Sequence, residues 1–265
     1  MCDACVMRKA AGALGRRGMM AAAAASVLGL SAAPALAQGM LRSAPVSRVV
    51  DLTHTLRANF PTFDGAPAFE MEQAKAIARD GDNVQKFTYF EHVGTHFDAP
   101  IPFSADGATV DRIPAESLVC PLMVLDLREK AAADPDYQAT PEDIAELERR
   151  HGRLPPGACL ALNSGWDARA DGPGFRNLAG GAMRFPGFRP DVAPLLIARN
   201  LAGVAVDTLS LDHGGSTSFA FHTQWLGSGR WGIECVAGLG GVPATGAERI
   251  RPRRDPAPAC GRARA

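Results

Sequence analysis

The segment His92-Val93-Gly94-Thr95-His96-Phe97-Asp98-Ala99-Pro100 places two imidazoles and one carboxylate within seven residues. Bulky and polar residues alternate just before it, from Lys86 to Phe90, which predicts a β-strand that runs directly into the segment. On a regular strand both histidines and the aspartate share one face, because successive side chains point to opposite faces. Gly94 and Pro100 predict an irregular strand, yet a strand that passes into a tight turn still directs the three side chains to one point.

These three side chains predict a metal site. Neutral imidazole and carboxylate groups are ligands that zinc, manganese and iron accept in proteins. Two histidines at this spacing are a weak signal by themselves, since such pairs also occur on ordinary surfaces. The carboxylate beside them, in a chain with only 6 histidines, favours His92, His96 and Asp98 as ligands of a divalent ion.

The rest of the chain alternates short apolar runs with helix signals. Strands are predicted at Arg48–Leu52, Leu122–Leu127, Cys159–Leu162 and Gly203–Asp207. Thr140 and Pro141 predict a helix start with an N-cap and a proline at the first helical position, and Gly152 predicts the helix end. A weaker helix is predicted at Asp191–Arg199. Strands interspersed with helices predict an α/β or α+β fold.

Length and charge limit the classes of function. The chain has 265 residues, of which 46% are hydrophobic, enough apolar material for one sizeable core and one catalytic domain. Lys+Arg and Asp+Glu are equal at 28 each, so no excess charge attracts nucleic acid or an anionic membrane. We therefore expect a small-molecule substrate and no nucleic-acid partner.

Residues 1–37 predict an export signal. Arg16 and Arg17 precede an apolar run, Met19 to Leu30, and small residues that resemble a cleavage site follow at 35–37. The run is shorter than the roughly 20 residues that a membrane span needs. The paired arginines resemble a twin-arginine signal, with Sec export as the alternative. We expect a periplasmic protein with no membrane span after processing.

The other end of the chain changes composition. Residues 248–265 are dominated by Arg, Pro and Ala and have no apolar periodicity. Such a segment cannot bury enough apolar surface to offset the entropy of ordering, which predicts a disordered tail. The domain is therefore expected at residues 38–247.

The segment that begins at His92 resembles the signature of the cyclase family, His-x-Gly-Thr-His-x-Asp-x-Pro, which is seen in bacterial kynurenine formamidase. The resemblance extends from Asp51 to Ala244. It includes Asn163-Ser164-Gly165-Trp166 and Val206-Asp207-Thr208-Leu209-Ser210-Leu211-Asp212. The chain is thus similar to this family along most of its length.

The resemblance implies a larger ligand set. In the family, a later histidine and a glutamate twelve residues beyond it join the signature residues, and His222 and Glu234 have this spacing. One or two divalent ions are the implied cofactor, zinc or manganese first and iron third, since mixed nitrogen and oxygen ligands suit all three. The implied ligands are His92, His96, Asp98, His222 and Glu234.

The resemblance also implies a fold and an activity. The fold is α/β, of the swivelling β/β/α kind found in kynurenine formamidase, in a single domain that assembles as a homodimer or homotetramer. The implied reaction is hydrolysis of a carbon–nitrogen amide bond, in an aryl formamide or a cyclic amide, by metal-activated water.

The chain departs from the family at Pro102, where better-known members carry a histidine proposed as general acid/base. Loss of one such group typically slows a reaction by about 10²–10⁴-fold. His213, which directly follows Asp212, is the predicted catalytic replacement, with a loop residue as the alternative interpretation. Phe63 and Trp166 lie in loops with glycine nearby and are predicted to contact the substrate, with core packing as the alternative.

Two other functions fit the same residues. A metal-binding homologue without catalysis would explain Pro102 as a lost catalytic role. A lactone hydrolase or a cyclase would use the same Lewis-acid site on another carbonyl group.

The export signal is tested by fusing residues 1–40 to a reporter protein. We expect the fusion to reach the periplasm and the Arg16→Lys/Arg17→Lys fusion to stay inside, because twin-arginine transport depends on the arginine pair. Reporter activity in the periplasmic fraction is the measurement. Equal export of both fusions would leave only the Sec alternative.

Overall fold

The computed structural model describes residues 48–104 and 106–248. The predicted export signal, residues 1–37, and residues 249–265 of the predicted tail lie outside the described residues. From Val50 onward the described residues belong to one structural unit. Within the described part, no helix has the length and apolar character needed to cross a membrane.

Short strands and helices alternate along the chain. The strands are β1 (Phe69–Lys75), β2 (Val84–Tyr89), β3 (His96–Asp98), β4 (Pro121–Asp126), β5 (Gln138–Ala139), β6 (Cys159–Asn163), β7 (Leu178–Ala179), β8 (Ala182–Met183), β9 (Gly187–Phe188), β10 (Gly203–Val206), β11 (Trp231–Glu234) and β12 (Ala247–Glu248). The helices are α1 (Ile77–Asp80), α2 (Arg128–Ala133), α3 (Pro141–His151), α4 (Val192–Ala198) and α5 (Ala220–Gly227).

The central sheet has the strand order β12-β4-β6-β10-β11-β3. Strands β4, β6, β10 and β11 are parallel, and the edge strands β3 and β12 are antiparallel to their neighbours. Parallel strands are buried on both faces and read as continuous apolar runs, which is why the sequence reveals β4, β6 and β10. The predicted α/β class is confirmed.

Alternate residues of these strands enter two cores. In β6, Leu160 and Leu162 pack into a core with the helices α3, α4 and α5, and Cys159 and Ala161 pack into a second core on the other face. The two faces follow from the two-residue period of a strand. Both helix predictions are confirmed, as α3 and α4.

Helix α3 begins with a capping box. The Thr140 hydroxyl accepts a hydrogen bond from the Asp143 amide at 3.2 Å, and the Asp143 carboxylate accepts one from the Thr140 amide at 2.8 Å. Pro141 occupies the first helical position, where its missing N–H is not needed. The sequence signals at both ends of this helix therefore act as predicted.

The strand predicted at Arg48–Leu52 is wrong. These residues have no assigned strand, and the neighbouring Thr53 makes only an isolated bridge to Val236. Val49 is 85% exposed, so the β-branched run has no core to bury its side chains. The β-propensity of valine reflects packing on a half-buried surface, and that surface is missing here.

Gly187 in β9 lets two backbone segments approach closely. A Cβ atom at this position would lie 2.3 Å from the carbonyl carbon of Asp212 and 2.3 Å from the nitrogen of His213. Both are backbone atoms and cannot rotate away. The absence of a side chain at 187 therefore sets the position of the chain at Asp212.

We expect Gly187→Ala to lower the free energy of unfolding by about 1–3 kcal/mol, because the added methyl group forces the backbone at Asp212 to move. Denaturant unfolding measures the change. Gly172→Ala is the control, since its Cβ would have no neighbour within 4 Å, and it should change stability by less than ~0.5 kcal/mol. Equal stability of the two variants would refute the close approach as a constraint.

Candidate metal centre

Strand pairing brings the first candidate ligands together. In the antiparallel pair of β3 and β11, His96 lies opposite Glu234 and Asp98 lies opposite Gly232. Residues 96 and 98 share a face of β3 because their separation is even. The register therefore places one imidazole and two carboxylates on the same side of the sheet edge.

His92 reaches the same place through a turn. It precedes β3, in a bend that contains Gly94 in the left-handed region (φ 67°), a conformation that glycine adopts at little cost. The turn brings His92 Nδ1 to 3.0 Å from Asp98 Oδ1. The His92 side chain is 49% exposed, so it lies at the open side of the group.

Helix α5 supplies the last candidate ligand. His222 Nε2 lies 2.9 Å from Glu234 Oε1 and 3.9 Å from Asp98 Oδ2. Two groups of side chains share Asp98, and within each group the ligand atoms lie within 4.8 Å of one another. The structure thus brings all five predicted ligands together. We call His92, His96, Asp98, His222 and Glu234 the imidazole–carboxylate cluster.

Two histidines of the cluster direct their Nε2 atoms inward. The Nδ1–H of His96 donates to the Gly94 carbonyl at 2.9 Å, and the Nδ1–H of His222 donates to the Asp212 carboxylate at 2.6 Å. His96 Nε2 is buried and makes no hydrogen bond, although Glu234 Oε2 lies 3.3 Å away. A buried nitrogen without a partner, facing carboxylate oxygens, fits a divalent cation.

The cluster is electrostatically arranged for positive charge. Burial by itself lowers the pKa of His96, but Asp98 and Glu234 outweigh it and raise that pKa well above the usual value. Burial likewise lowers the pKa of His222, and the bonds to Asp212 and Glu234 raise it to about 10. Burial raises the pKa of Asp98, yet the neighbouring imidazoles bring it below its usual range. A divalent ion would replace the protons that this cluster otherwise holds.

Asp212 is a functional residue to which the sequence analysis gave no role. This buried carboxylate accepts the Nδ1–H of His222 and also the backbone N–H groups of Phe221, at 2.9 Å, and of His222, at 3.0 Å. Asp212 therefore caps the first turn of α5 and fixes the His222 tautomer. The sequence signal for this role is an acid ten residues before a candidate ligand, but that spacing alone does not show that the two side chains meet.

The side chain of His213 faces another part of the molecule. It lines a cavity of about 560 Å³ together with Asp136, Gln138 and Arg184, and the described lining of that cavity contains no residue of the cluster. Pro102 is exposed in a 3₁₀ turn. The role of His213 as proton donor therefore stays a prediction that rests on sequence alone.

The two residues predicted to contact substrate differ in placement. Trp166 is only 1% exposed, and its indole N–H donates to the Phe175 carbonyl at 2.8 Å. This burial fits the alternative of core packing for Trp166, and its contact with substrate stays a prediction. Phe63 is half-buried, with its ring 5.7 Å from Phe219, and the Phe219 ring lies 5.8 Å from that of His222. Phe63 therefore lies near the cluster, and its contact with substrate stays a prediction.

Comparison with known proteins places the chain among related sequences. Residues 50–213 match the family model Cyclase, described as "Putative cyclase". An isatin hydrolase from Roseibium aggregatum is 30% identical over 218 residues, which cover 75% of this chain and 82% of that protein. A kynurenine formamidase from Bacillus anthracis is 26% identical over 179 residues, 67% of this chain and 77% of that protein.

Similarity to solved structures extends to the fold. Isatin hydrolase A from Labrenzia aggregata, solved with benzyl benzoate bound, superimposes with a TM-score of 0.71 at 35% sequence identity. The match covers 75% of this chain and 84% of that chain. The sheet and helices that carry the cluster are thus similar to those of a hydrolase structure.

We expect Asp212→Asn to reduce the affinity for Zn²⁺ by roughly 10–100-fold, because the neutral amide has only one acceptor oxygen for the three N–H groups that Asp212 holds, so the His222 imidazole is oriented less firmly. Titration calorimetry on metal-free protein measures the affinity. Asp136→Asn is the matched control. Asp136 pairs with Arg184 at the cavity that His213 lines, so this variant should leave Zn²⁺ binding unchanged. Unaltered affinity in Asp212→Asn, with folding intact, would show that Asp212 does not support the site.

Proposed function

Since the chain belongs to the cyclase family, we propose that it is a divalent-metal-dependent hydrolase of carbon–nitrogen amide bonds in small aromatic molecules. The observation that carries the proposal is the imidazole–carboxylate cluster, in which the buried Nε2 of His96 faces two carboxylates without a hydrogen bond. Buried polar atoms normally have a hydrogen-bond partner, and metal ligation accounts for a buried nitrogen that has none.

The names of the similar proteins support the substrate class. One is an isatin hydrolase and another a kynurenine formamidase. Isatin is a cyclic amide fused to an aromatic ring, and formylkynurenine is an aryl formamide. We infer that this chain acts on an aryl formamide or a cyclic amide whose carbonyl carbon lies close to an aromatic ring.

The chain's own residues prepare the reaction. The buried His96, Asp98, His222 and Glu234 would hold the metal, and the half-exposed His92 would complete the set of ligands. When bound, a divalent ion polarises the carbonyl group and lowers the pKa of its bound water to about 7. Zinc and manganese both suit this mixture of ligands, with iron as a further candidate.

Aromatic residues shield the cluster from water. The rings of Phe103 and Phe219 lie 5.0 Å and 5.8 Å from the ring of His222. Excluding water strengthens every charge interaction in the site.

The departing nitrogen needs a proton, which Pro102 cannot provide, so we expect slower turnover than in relatives with a histidine at this position.

The proposal is tested with purified, metal-analysed protein. We expect hydrolysis of N-formylkynurenine or isatin that stops on chelation and returns when Zn²⁺ or Mn²⁺ is added. His96→Ala and Glu234→Ala should each lose bound metal and activity together, because removal of a ligand weakens binding. Glu146→Ala, an exposed acid paired with arginines, is the control and should retain both.

Three results separate the alternatives. A metal-loaded protein that is inert towards both amides and towards aryl esters would favour a binding protein without catalysis. Hydrolysis of aryl esters or lactones alone would favour the lactone hydrolase. Amide hydrolysis that survives complete removal of metal would contradict the proposed mechanism.

A further inference from the structure

Three aromatic rings from separate parts of the chain meet beside the metal ligand His222. Phe219 lies 5.7 Å from Phe63 and 6.4 Å from Phe103, and both Phe219 and Phe103 contact the His222 ring. We propose that Phe219 is a specificity-determining residue that, with Phe63 and Phe103, forms an aromatic wall for the aromatic ring of the substrate. This inference rests on the proposed function.

The backbone of Phe219 is held in a costly conformation. Its φ of 48° and ψ of 43° lie in the left-handed region, which a bulky residue rarely adopts. The Ser216 hydroxyl accepts from its amide at 3.2 Å, and its carbonyl accepts from the Thr223 amide at 2.8 Å. Such strain persists where the surroundings fix it, and it concentrates at ligand sites.

Other residues of the same chain make the strain at Phe219 informative. Asn177, Asn200 and Cys235 also have positive φ; asparagine tolerates this conformation well, and Cys235 directly follows the cluster residue Glu234. Phenylalanine has no polar group that could stabilise it locally. The position of the ring is therefore the feature that the strained backbone secures.

The start of helix α5 separates core residues from site residues. Phe221 is fully buried and stacks on Phe188 at 4.7 Å between ring centroids. Phe219, two residues earlier, is half-buried and faces His222. Phe63 and Phe103 are also half-buried, so all three rings of the wall keep part of their surface outside the core.

The geometry defines the substrate that fits. A carbonyl group at the cluster and an aromatic ring at the wall must be close together, because the wall directly adjoins His222. The rings of the wall are inclined to one another by 49° and 51°, which suits edge-to-face contact with a further ring. Anilides and amides fused to an aromatic ring meet this condition, and alkyl amides do not.

Formanilide and N-cyclohexylformamide test the wall, because they have similar size and differ in aromaticity. We expect wild-type protein to favour formanilide in kcat/KM. Phe219→Leu should reduce this preference roughly threefold to tenfold, since the ring contact is lost, while Phe219→Tyr should preserve it. Phe87→Leu removes a half-buried ring that stacks on Phe69 in the β1–β2 hairpin, and should leave the preference unchanged.

The outcomes distinguish the wall from the proposed function. If wild type hydrolyses both amides and Phe219→Leu retains the full preference, the wall is overturned and the hydrolase stands. If wild type hydrolyses neither amide, calorimetric binding of the two compounds to metal-loaded protein replaces kinetics. A preference for formanilide that Phe219→Leu removes then supports the wall, and equal preference in both proteins overturns it.

Strain provides a readout that does not depend on activity. Phe219→Gly and Phe219→Ala both lack the ring, but only alanine retains the strained conformation. Phe219→Gly should therefore have the higher Tm, because both the positive φ and the N-cap position of residue 219 favour glycine over alanine. A higher Tm for Phe219→Ala would show that the backbone at 219 is not strained.

Discussion

This structure depends on one constraint. Two carboxylates, Asp98 and Glu234, are buried next to the histidines with which they pair. His96 Nε2 lies 3.4 Å from Asp98 and 3.3 Å from Glu234, and His222 Nε2 lies 2.9 Å from Glu234. Buried carboxylates need compensating positive charge, because transfer of an unpaired charge from water is costly. Protons on the histidines or a divalent cation can supply that charge, and the inward Nε2 atoms favour the cation.

The fold supplies this arrangement from three directions. Pairing of β3 with β11 sets His96 opposite Glu234, a glycine turn delivers His92, and helix α5 delivers His222. Asp212 lies between β10 and α5, and its carboxylate both caps α5 and holds the imidazole of His222. The position of Asp212 depends in turn on Gly187 of β9, which has no side chain and so lets the two backbone segments approach closely. The geometry of the candidate ligands therefore depends on the packing of the backbone around them.

The sequence was sufficient where the signal is local or periodic. The capping box of α3 and the apolar runs of β4, β6 and β10 need only neighbouring residues for their interpretation. His92, His96 and Asp98 lie in one compact motif, whereas His222 and Glu234 follow only from the resemblance to the cyclase family and its twelve-residue spacing. Tertiary placement was beyond such reasoning. The burial of Trp166, the direction of the His213 side chain and the role of Asp212 depend on which segments pack together.

The central claim, that the cluster holds a divalent ion, is tested most directly by anomalous X-ray scattering from crystals grown with Zn²⁺ or Mn²⁺. The account predicts an anomalous peak at the cluster, about 2.0–2.2 Å from the ligand atoms of one of its two groups, either His92, His96 and Asp98 or Asp98, His222 and Glu234. A second peak that shares Asp98 would indicate two ions. A cluster without an anomalous peak, in crystals whose protein binds the metal elsewhere, would contradict the account.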